Sequence, residues 1–255
     1  MKIKLFSVFF LIFFLISQVT FSSIINFEEN EEISNSILNS FIALVEGKMN
    51  SNLEIQRILS RTAELKSGKW MLAKELISTF QYHEDYSLIW YSLPDGNYYR
   101  SDVGLTDQNL FDRKYFPSLL NKNEVFGDIV TGKTSGKKSI IIAVPVINNS
   151  EVVSIIGCSI YCEEFTKALI EKVKLPDKAF FLIMDNDGNF ILNSSEDLLI
   201  DNPFNEGTTS FKEAMKNVLN TKNGYEEFEY NNKLHKIIYE KSSLTNWIYI
   251  IGQTY

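Results

Sequence analysis

The strand sequence Ile155-Ile156-Gly157-Cys158-Ser159-Ile160 returns near the end of the sequence as Ile250-Ile251-Gly252-Gln253-Thr254-Tyr255. The turn sequence Asp95-Gly96-Asn97 likewise reappears as Asp187-Gly188-Asn189. The two offsets, 95 residues for the strand and 92 for the turn, are nearly equal. Two separate matches at nearly one offset predict two modules of one architecture in tandem. The alternative is two generic hairpins and two generic strands with no such relation.

Both modules are predicted to contain an opening β-hairpin, a helical segment and closing antiparallel strands. In the first module the predicted strands cover 86–93, 98–101, 139–147 and 152–160, and a helix covers 163–174. In the second module the predicted strands cover 179–184, 189–193, 225–230, 234–240 and 247–255, and a helix covers 211–219. This order predicts an α+β fold with an antiparallel sheet flanked by helices in each module.

A long helix is predicted ahead of the two modules, over residues 26–80. Apolar residues recur there at helical spacing, first as Ile33, Ile37, Phe41, Leu44 and Val45, then less regularly as Ile58, Leu59, Leu65, Leu72 and Leu76. Gly47 and Gly68 are candidate breaks. A helix of 35 residues would be roughly 50 Å long. We therefore expect it to pack along both modules or against a second copy of the chain.

The sequence of residues 1–22 is typical of an export signal. Lys2 and Lys4 precede the apolar run Leu5–Ile16, which only Ser7 interrupts. That length is typical of a signal peptide and is short for a bilayer core of roughly 30 Å. Small residues near Ser22 predict cleavage after that position, which assigns residues 1–22 to a signal peptide; the alternative is an uncleaved membrane anchor.

Composition excludes several classes of protein. The 255 residues include 32 acidic and 25 basic side chains, a formal net charge of −7, which argues against a nucleic-acid partner. Two cysteines and two histidines exclude a disulfide scaffold and most zinc sites. The glycine-rich motifs of dinucleotide-binding and P-loop proteins do not occur, and the sequence predicts no cofactor.

Three smaller features favour structural interpretations over catalysis or metal binding. Asp185-Asn186-Asp187-Gly188 has its glycine in the fourth place, whereas a calcium loop needs glycine in the sixth, so a hairpin turn is predicted. Cys158 and Cys162 on one strand would be roughly 13 Å apart, too far for a disulfide. His83 and His235 accompany no nucleophile motif, so no catalytic residue and no enzymatic activity are predicted.

The segment between the predicted hairpin and the next strands contains Asp112-Arg113-Lys114-Tyr115-Phe116. It is similar to D-R-x-[YW]-[FY], a motif at the start of a helix in one family of sensor domains. Ser135-Gly136-Lys137 and Ala143-Val144-Pro145-Val146 follow in the family's order, and then a strand ends in Gly157-Cys158-Ser159-Ile160. In the second module Ile183–Asn189 resembles the family's hairpin, and Leu244-Thr245-Asn246-Trp247 its closing turn.

Through these motifs residues 28–255 resemble the double Cache domain, the PAS-like extracytoplasmic sensor of many bacterial receptors. The resemblance implies a long N-terminal helix followed by two tandem PAS-like modules, each an antiparallel sheet flanked by helices. The membrane-distal module would cover 81–174 and the membrane-proximal module 175–255. In the family, the ligand binds in the membrane-distal module.

The resemblance implies a ligand site at Arg113, Tyr115, Phe116 and Ser159. Arg113 would bind a carboxylate through its planar fork of donors, with the two aromatic rings as walls and Ser159 as a hydrogen-bond donor. The family's amino-acid-binding branch holds the ligand's ammonium at two positions that fall on Val130 and Ser159 here, and neither supplies a charge or an aromatic ring. We therefore expect a small carboxylate without an amine, or another polar metabolite.

The sequence thus predicts an exported ligand-binding sensor, periplasmic or extracellular, or tethered to the membrane by an uncleaved leader. It would act in signal transduction as chemoreceptor domains do, through a membrane receptor partner, and would form a homodimer through the N-terminal helix. The alternatives are an exported hydrolase without a recognisable motif and a structural or adhesion module that assembles through its helix.

Overall fold

A computed structural model describes residues 31–81 and 86–255. They divide into two compact units: one comprises residues 43–172, and the other comprises 31–42 with 173–255. We call these the first unit and the second unit. The predicted leader lies outside the described residues. Within the described ranges, no helix is both long enough and apolar enough to cross a membrane.

Three helices occupy the segment for which the sequence predicts a single one: α1 (Glu31–Ser60), α2 (Ala63–Lys66) and α3 (Trp70–Gln81). The long N-terminal helix is confirmed by α1, but its predicted extension to residue 80 is wrong. One break follows from Thr62, whose extended backbone and side chain cap α2. The other follows from Gly68, whose φ of +68° no right-handed helix can accommodate. Gly47 lies inside α1.

A six-stranded antiparallel sheet forms the body of the first unit, in the order β3-β2-β1-β6-β5-β4. Its helices are α4 (Phe116–Leu120) and α5 (Cys162–Val173). Its strands are β1 (Ser87–Ser92), β2 (Asn97–Arg100), β3 (Gly104–Asn109), β4 (Val125–Thr131), β5 (Lys138–Asn148) and β6 (Glu151–Tyr161).

A five-stranded antiparallel sheet forms the body of the second unit, in the order β8-β7-β11-β10-β9. Its helices are α6 (Pro203–Glu206) and α7 (Thr209–Asn220). Its strands are β7 (Ala179–Met184), β8 (Phe190–Asn193), β9 (Asn223–Tyr230), β10 (Lys233–Lys241) and β11 (Ile248–Thr254).

The two sheets have the same topology once β3 is set aside. In both, the strand that carries Ile-Ile-Gly is central, between the first strand of the opening hairpin and a long neighbour. Both hairpins turn at an equivalent glycine, Gly96 and Gly188, each with a φ of +84°. The predicted α+β fold with two tandem modules is therefore confirmed.

The repeated glycine of the central strand makes room for an aromatic ring. Gly157 lies opposite Trp90 on β1, and a Cβ on this glycine would be 2.2 Å from Cζ2 of that ring. Gly252 lies opposite Phe180 on β7, and its Cβ would be 2.3 Å from Cζ of the phenyl ring. A carbon atom cannot approach that closely, so the same packing requirement accounts for glycine in both modules.

The two edge strands β3 and β4 are absent from the sequence-based prediction. β3 has the sequence Gly-Leu-Thr-Asp-Gln-Asn and pairs with β2 at the edge of the sheet. Its polar composition is typical of an edge strand. β4 has its apolar alternation interrupted at Gly127 and Asp128, where the pairing with β5 shifts register. Gly127 has a φ of +92°, which is the backbone of a bulge.

The apolar stripe of α1 is largely used inside the chain. In the second unit, the ring of Phe41 packs 4.7 Å from that of Phe181 and 6.2 Å from that of Tyr249. Val45 in the first unit is also fully buried, whereas Ile33 and Ile58 are exposed. Most of the stripe is therefore unavailable to a second copy of the chain.

Candidate ligand-binding site

A cavity of about 40 Å³ lies on one face of the sheet of the first unit. Alternate residues of the strands line it, among them Leu88 and Trp90 of β1, Tyr98 and Arg100 of β2, and Ser159 and Tyr161 of β6. Side chains two residues apart on a strand point to the same face, which is why these six meet. Since one water molecule needs about 10–15 Å³, a cavity of this volume holds roughly three waters or a ligand of a few heavy atoms.

The opposite face of this sheet packs against helices of the same unit. Ser154 donates a hydrogen bond from Oγ to the carbonyl of Leu65, at 3.0 Å. The thiol of Cys158 lies 3.6 Å from Oδ1 of Asn52 on α1. The sheet thus separates a face that is covered by helices from a face that carries the cavity.

Arg113 lines the cavity from the segment that precedes α4. Its Nη2 donates to the carbonyl of Thr131, at 2.6 Å. Its Nε is buried and has no hydrogen-bond partner among the described residues. A buried donor without an acceptor is costly, and a guanidinium has donors in a planar fork that fits a carboxylate. Arg113 thus presents a guanidinium at the cavity wall with no carboxylate partner among the described residues.

The other two cations that line the cavity are neutralised within the protein. Arg100 donates to Asp102 from Nε and Nη2, at 2.9 and 2.5 Å. Lys133 is paired with Asp112 at 2.5 Å, and this hydrogen bond lowers the pKa of the aspartate. Three cations and two carboxylates leave one positive charge, on Arg113. The cavity therefore suits a ligand with a single negative charge.

Aromatic side chains make the surroundings of this charge partly dry. Tyr115 is buried, and burial raises its pKa above the ordinary value, although the charge of Arg113 acts in the opposite direction. Burial also raises the pKa of Tyr161. Exclusion of water strengthens an ionic hydrogen bond, so these rings favour a tight pairing between Arg113 and an anion.

The connection between β4 and β5 forms the remaining wall, through Gly132, Lys133, Thr134 and Ser135. The hydroxyl of Thr134 is 2.5 Å from that of Tyr98 on β2. Outside the cavity, Lys137 pairs with Glu164 and lies over the ring of Tyr161, 4.8 Å from its centre. These contacts fix the connection against β2, β6 and the first turn of α5.

The structure brings three of the four proposed ligand residues to this cavity: Arg113, Tyr115 and Ser159. Val130 is also on the wall. Phe116 is not among the lining residues; it is fully buried, in the same apolar cluster as Tyr115. Its proposed role as a wall of the pocket therefore has no support in the geometry.

Sequence reasoning missed the residues that set the charge of the site. Arg100 and Tyr98 lie on the return strand of the first hairpin, where Tyr98-Tyr99-Arg100 alternates between the two faces of the sheet. That alternation was the available signal, since it places Tyr98 and Arg100 on one face. Lys133 carries no comparable signal, because it belongs to an irregular connection.

The other residues considered in the sequence analysis have structural roles, in a turn or in the core. Asp185 accepts hydrogen bonds through Oδ1 from the backbone N–H groups of Asp187 and Asn189, as expected of the predicted hairpin turn. Cys158 and Cys162 are both buried thiols, and burial raises the pKa of Cys162 to about 12. His83 lies outside the described residues.

His235 is buried in the second unit, where its ring stacks on Phe228 with centres 5.1 Å apart. Its Nδ1 is 3.2 Å from Oγ1 of Thr254. Burial lowers its pKa below the ordinary value of 6.5, although the carbonyl of Tyr230 acts in the opposite direction. The folded protein therefore holds this imidazole neutral more firmly than the unfolded chain does.

This burial predicts a pH dependence of stability. Below about pH 6.5 the unfolded chain binds a proton at His235 that the folded protein does not, so the free energy of unfolding should decrease as the pH falls from 7.5 to 5.5. Urea unfolding at several pH values measures the decrease. The His235→Phe variant should show a smaller decrease over this range, and an equal decrease would contradict the assignment.

Comparison with known families agrees with this architecture. A family model for the Cache domain, of the double-Cache type, matches residues 22–255. The chain belongs to the double Cache family. None of the curated protein sequences matches this Cache chain.

Solved structures share the double Cache fold at low sequence identity. The ligand-binding domain of the Campylobacter jejuni chemoreceptor Tlp3, in complex with 4-methylisoleucine, has a TM-score of 0.69 and 14% identity, covering 92% of this chain and 94% of its own. The extracellular domain of mmHK1S-Z3, named as a putative histidine kinase, has a TM-score of 0.65 and 15% sequence identity, and the match covers 89% of this chain and 93% of that domain. The periplasmic sensory domain of the C. jejuni chemoreceptor Tlp1 has a TM-score of 0.63 and 13% sequence identity, and the match covers 90% of this chain and 96% of that domain.

Proposed function

We propose that this protein is an extracytoplasmic sensor that binds a small monocarboxylate in the cavity around Arg113. The observation that carries the proposal is the guanidinium of Arg113, which lines the cavity and has no carboxylate acceptor among the described residues. A carboxylate bound there would supply the acceptor and neutralise the one uncompensated charge. Ser159 and the hydroxyl groups of the tyrosines are further donors for its second oxygen.

The choice of a carboxylate without an amine rests on the lining of the cavity. None of the described lining residues is acidic, and the nearby carboxylates of Asp102 and Asp112 are already paired with Arg100 and Lys133. An ammonium group would therefore lie among cations without an anionic partner. The Tlp3 domains hold isoleucine and valine, so an α-amino acid is the alternative that a test must include.

A thermal-shift screen of small carboxylates against their uncharged amides tests the proposed ligand class. A ligand that binds the folded state stabilises it by RT ln(1 + [L]/Kd), which is about 2.7 kcal/mol at a hundredfold excess over Kd. Short-chain monocarboxylates should raise the unfolding temperature, and the matching amides should not. A shift with amino acids but with none of the simple acids would contradict the proposed chemistry.

Export is proposed from the leader and from the family. Lys2, Lys4 and the apolar run Leu5–Ile16 have the organisation of a signal peptide or an N-terminal anchor. Members of the Cache family are extracytoplasmic sensor domains, and the family match begins at residue 22. Signal transduction would then pass through a membrane receptor partner. Catalysis by an exported hydrolase has no support from the cavity, whose polar groups are those of an anion site.

Cell fractionation tests the export proposal. The mature protein should be found outside the cytoplasm, either released or attached to the membrane, because the leader directs it to the export machinery. A Leu11→Lys variant, which breaks the apolar run, should accumulate in the cytosol and serves as the control. Cytosolic recovery of the unchanged protein would contradict the sensor proposal as well.

A homodimer through α1 stays a prediction. Ile33 and Ile58 are exposed on the helix, but the more central members of its stripe are buried within the units. Sedimentation at high protein concentration measures the association state. A strict monomer would exclude both this dimer and the structural module that assembles through its helix.

A further inference from the structure

A second concavity in the first unit carries a cluster of basic side chains. Its volume is about 300 Å³, and it shares no lining residue with the cavity around Arg113. The basic residues on its walls are Arg57, Arg61, Lys66 and Lys122. They come from the last turn of α1, the residue after it, the end of α2 and the segment after α4. Three separate parts of the chain thus bring positive charge to one depression.

Arg57 is held in place by carboxylates within the protein. Its Nε and Nη2 donate to the two oxygens of Glu124, at 2.8 and 2.6 Å, and its Nη1 donates to Glu54 at 2.5 Å. Glu124 also lines the concavity and is the only acidic residue among its described walls. Arg57 with Glu54 and Glu124 is one cation with two carboxylates, a group with one excess negative charge that forms a fixed, polar part of the wall.

The other three cations are uncompensated. Arg61, Lys66 and Lys122 form no ion pair with any residue in 31–81 or 86–255. Their convergence is unexpected in a chain with a formal net charge of −7, because like charges repel one another. Arg61 and Lys122 are exposed and Lys66 is half-buried, and cations gathered on one concave wall attract an anion.

The concavity also has an apolar wall and a fixed frame. Val144 and Pro145 of β5 are buried beneath it, and Ile147 is 40% exposed at its side. The carbonyl of Lys66 accepts a hydrogen bond from Nδ2 of Asn148, at 3.2 Å, which ties the end of α2 to the sheet. Of these three apolar residues, Ile147 is the one whose side chain a ligand can contact.

We propose that this basic concavity binds a small organic polyanion, with two or three carboxylate or phosphate groups, independently of the cavity around Arg113. Three cations without ion pairs, next to the one excess negative charge of the Arg57 group, favour a ligand with at least two negative charges, and the exposed Ile147 can contact the carbon skeleton that joins them. The volume lies at the lower end of the range for small-molecule sites. The sensor unit would then receive two different anionic ligands, one singly and one multiply charged.

Calorimetric titration of the full-length protein with citrate tests the proposal, with inorganic pyrophosphate as a second probe. Citrate carries both charge and a carbon skeleton and should bind more tightly than pyrophosphate if the apolar wall contributes. The Lys66→Gln/Lys122→Gln variant should bind citrate at least tenfold more weakly, and its unfolding temperature should be unchanged because both side chains lack partners among the described residues. Raising the salt concentration from 0.05 to 0.5 M should weaken binding strongly.

Two control variants separate this site from the general charge of the protein and from the first cavity. Lys216→Gln removes an exposed charge from α7 in the second unit and should leave citrate binding unchanged. Arg113→Ala should also leave it unchanged. The proposal would be overturned if neither citrate nor pyrophosphate binds. It would also be overturned if Lys216→Gln weakens citrate binding as much as the double variant does, or if Arg113→Ala abolishes citrate binding. Binding of an acidic peptide without binding of either probe would overturn it in favour of a protein partner.

Discussion

Replacing Arg113 with alanine is expected to weaken the binding of a small carboxylate by about 30-fold or more. Removing one partner of a buried charge-assisted hydrogen bond costs roughly 2–5 kcal/mol, and each 1.4 kcal/mol corresponds to about a factor of ten in Kd. Arg113→Lys should recover only part of the affinity, because an ammonium cannot reproduce the planar fork of donors. Calorimetry with the carboxylate that gives the largest thermal shift measures both effects.

Two controls make this result specific to the guanidinium. Lys114 is the exposed neighbour of Arg113 and does not line the cavity, so Lys114→Ala should bind with unchanged affinity. Asp187→Ala alters the hairpin turn of the second unit and should also leave the affinity unchanged. Unchanged binding in Arg113→Ala, or a loss confined to Asp187→Ala, would place the ligand elsewhere.

Replacing Gly157 with alanine should destabilise the first unit and abolish ligand binding together. The added Cβ would lie 2.2 Å from the indole of Trp90, so the ring must leave its place on the wall of the cavity. Overpacking of this kind costs roughly 1–3 kcal/mol. Urea unfolding measures the loss of stability, and calorimetry under native conditions measures the loss of binding.

The repeated architecture offers a matched control for Gly157. Gly252→Ala would place a Cβ 2.3 Å from the ring of Phe180 at the equivalent position of the second unit. It should cost a similar amount of stability but leave carboxylate binding unchanged. Adding Trp90→Leu to Gly157→Ala should restore stability, because the smaller side chain vacates the space. Wild-type binding by Gly157→Ala would refute the assigned position of Trp90.

Much of the fold could be predicted because its signals are local. The β7–β8 hairpin was predictable from an apolar run followed by Asp187-Gly188-Asn189, and β7 has the predicted bounds Ala179–Met184. The missed strands β3 and β4 are edges, where a polar composition and the bulge at Gly127 remove the alternation. The single long helix failed because a cap at Thr62 and a positive φ at Gly68 outweigh an apolar periodicity that continues past both.

The candidate site could be predicted only in part. Arg113, Tyr115 and Ser159 were found through the family motif, and the structure places all three around one cavity. Phe116 was included because it belongs to the same motif. Phe116 begins the short helix α4, where it is fully buried and does not line the cavity. A motif specifies the order of residues, but neighbouring residues on a helix point in different directions.

The sequence by itself determined that two modules stand in tandem and that each has a closing strand with the repeated Ile-Ile-Gly. These properties follow from turn residues, from the alternation of apolar and polar residues, and from a repeated strand sequence. All three signals can be recognised in a short segment without knowledge of its tertiary contacts. Only the tertiary structure decided the charge of the cavity. Lys133 meets Asp112 across 21 residues, and Arg113 meets the carbonyl of Thr131 across 18. Such pairings depend on how the connection between β4 and β5 folds back, so no local sequence pattern shows that Arg113 has no carboxylate partner among the described residues.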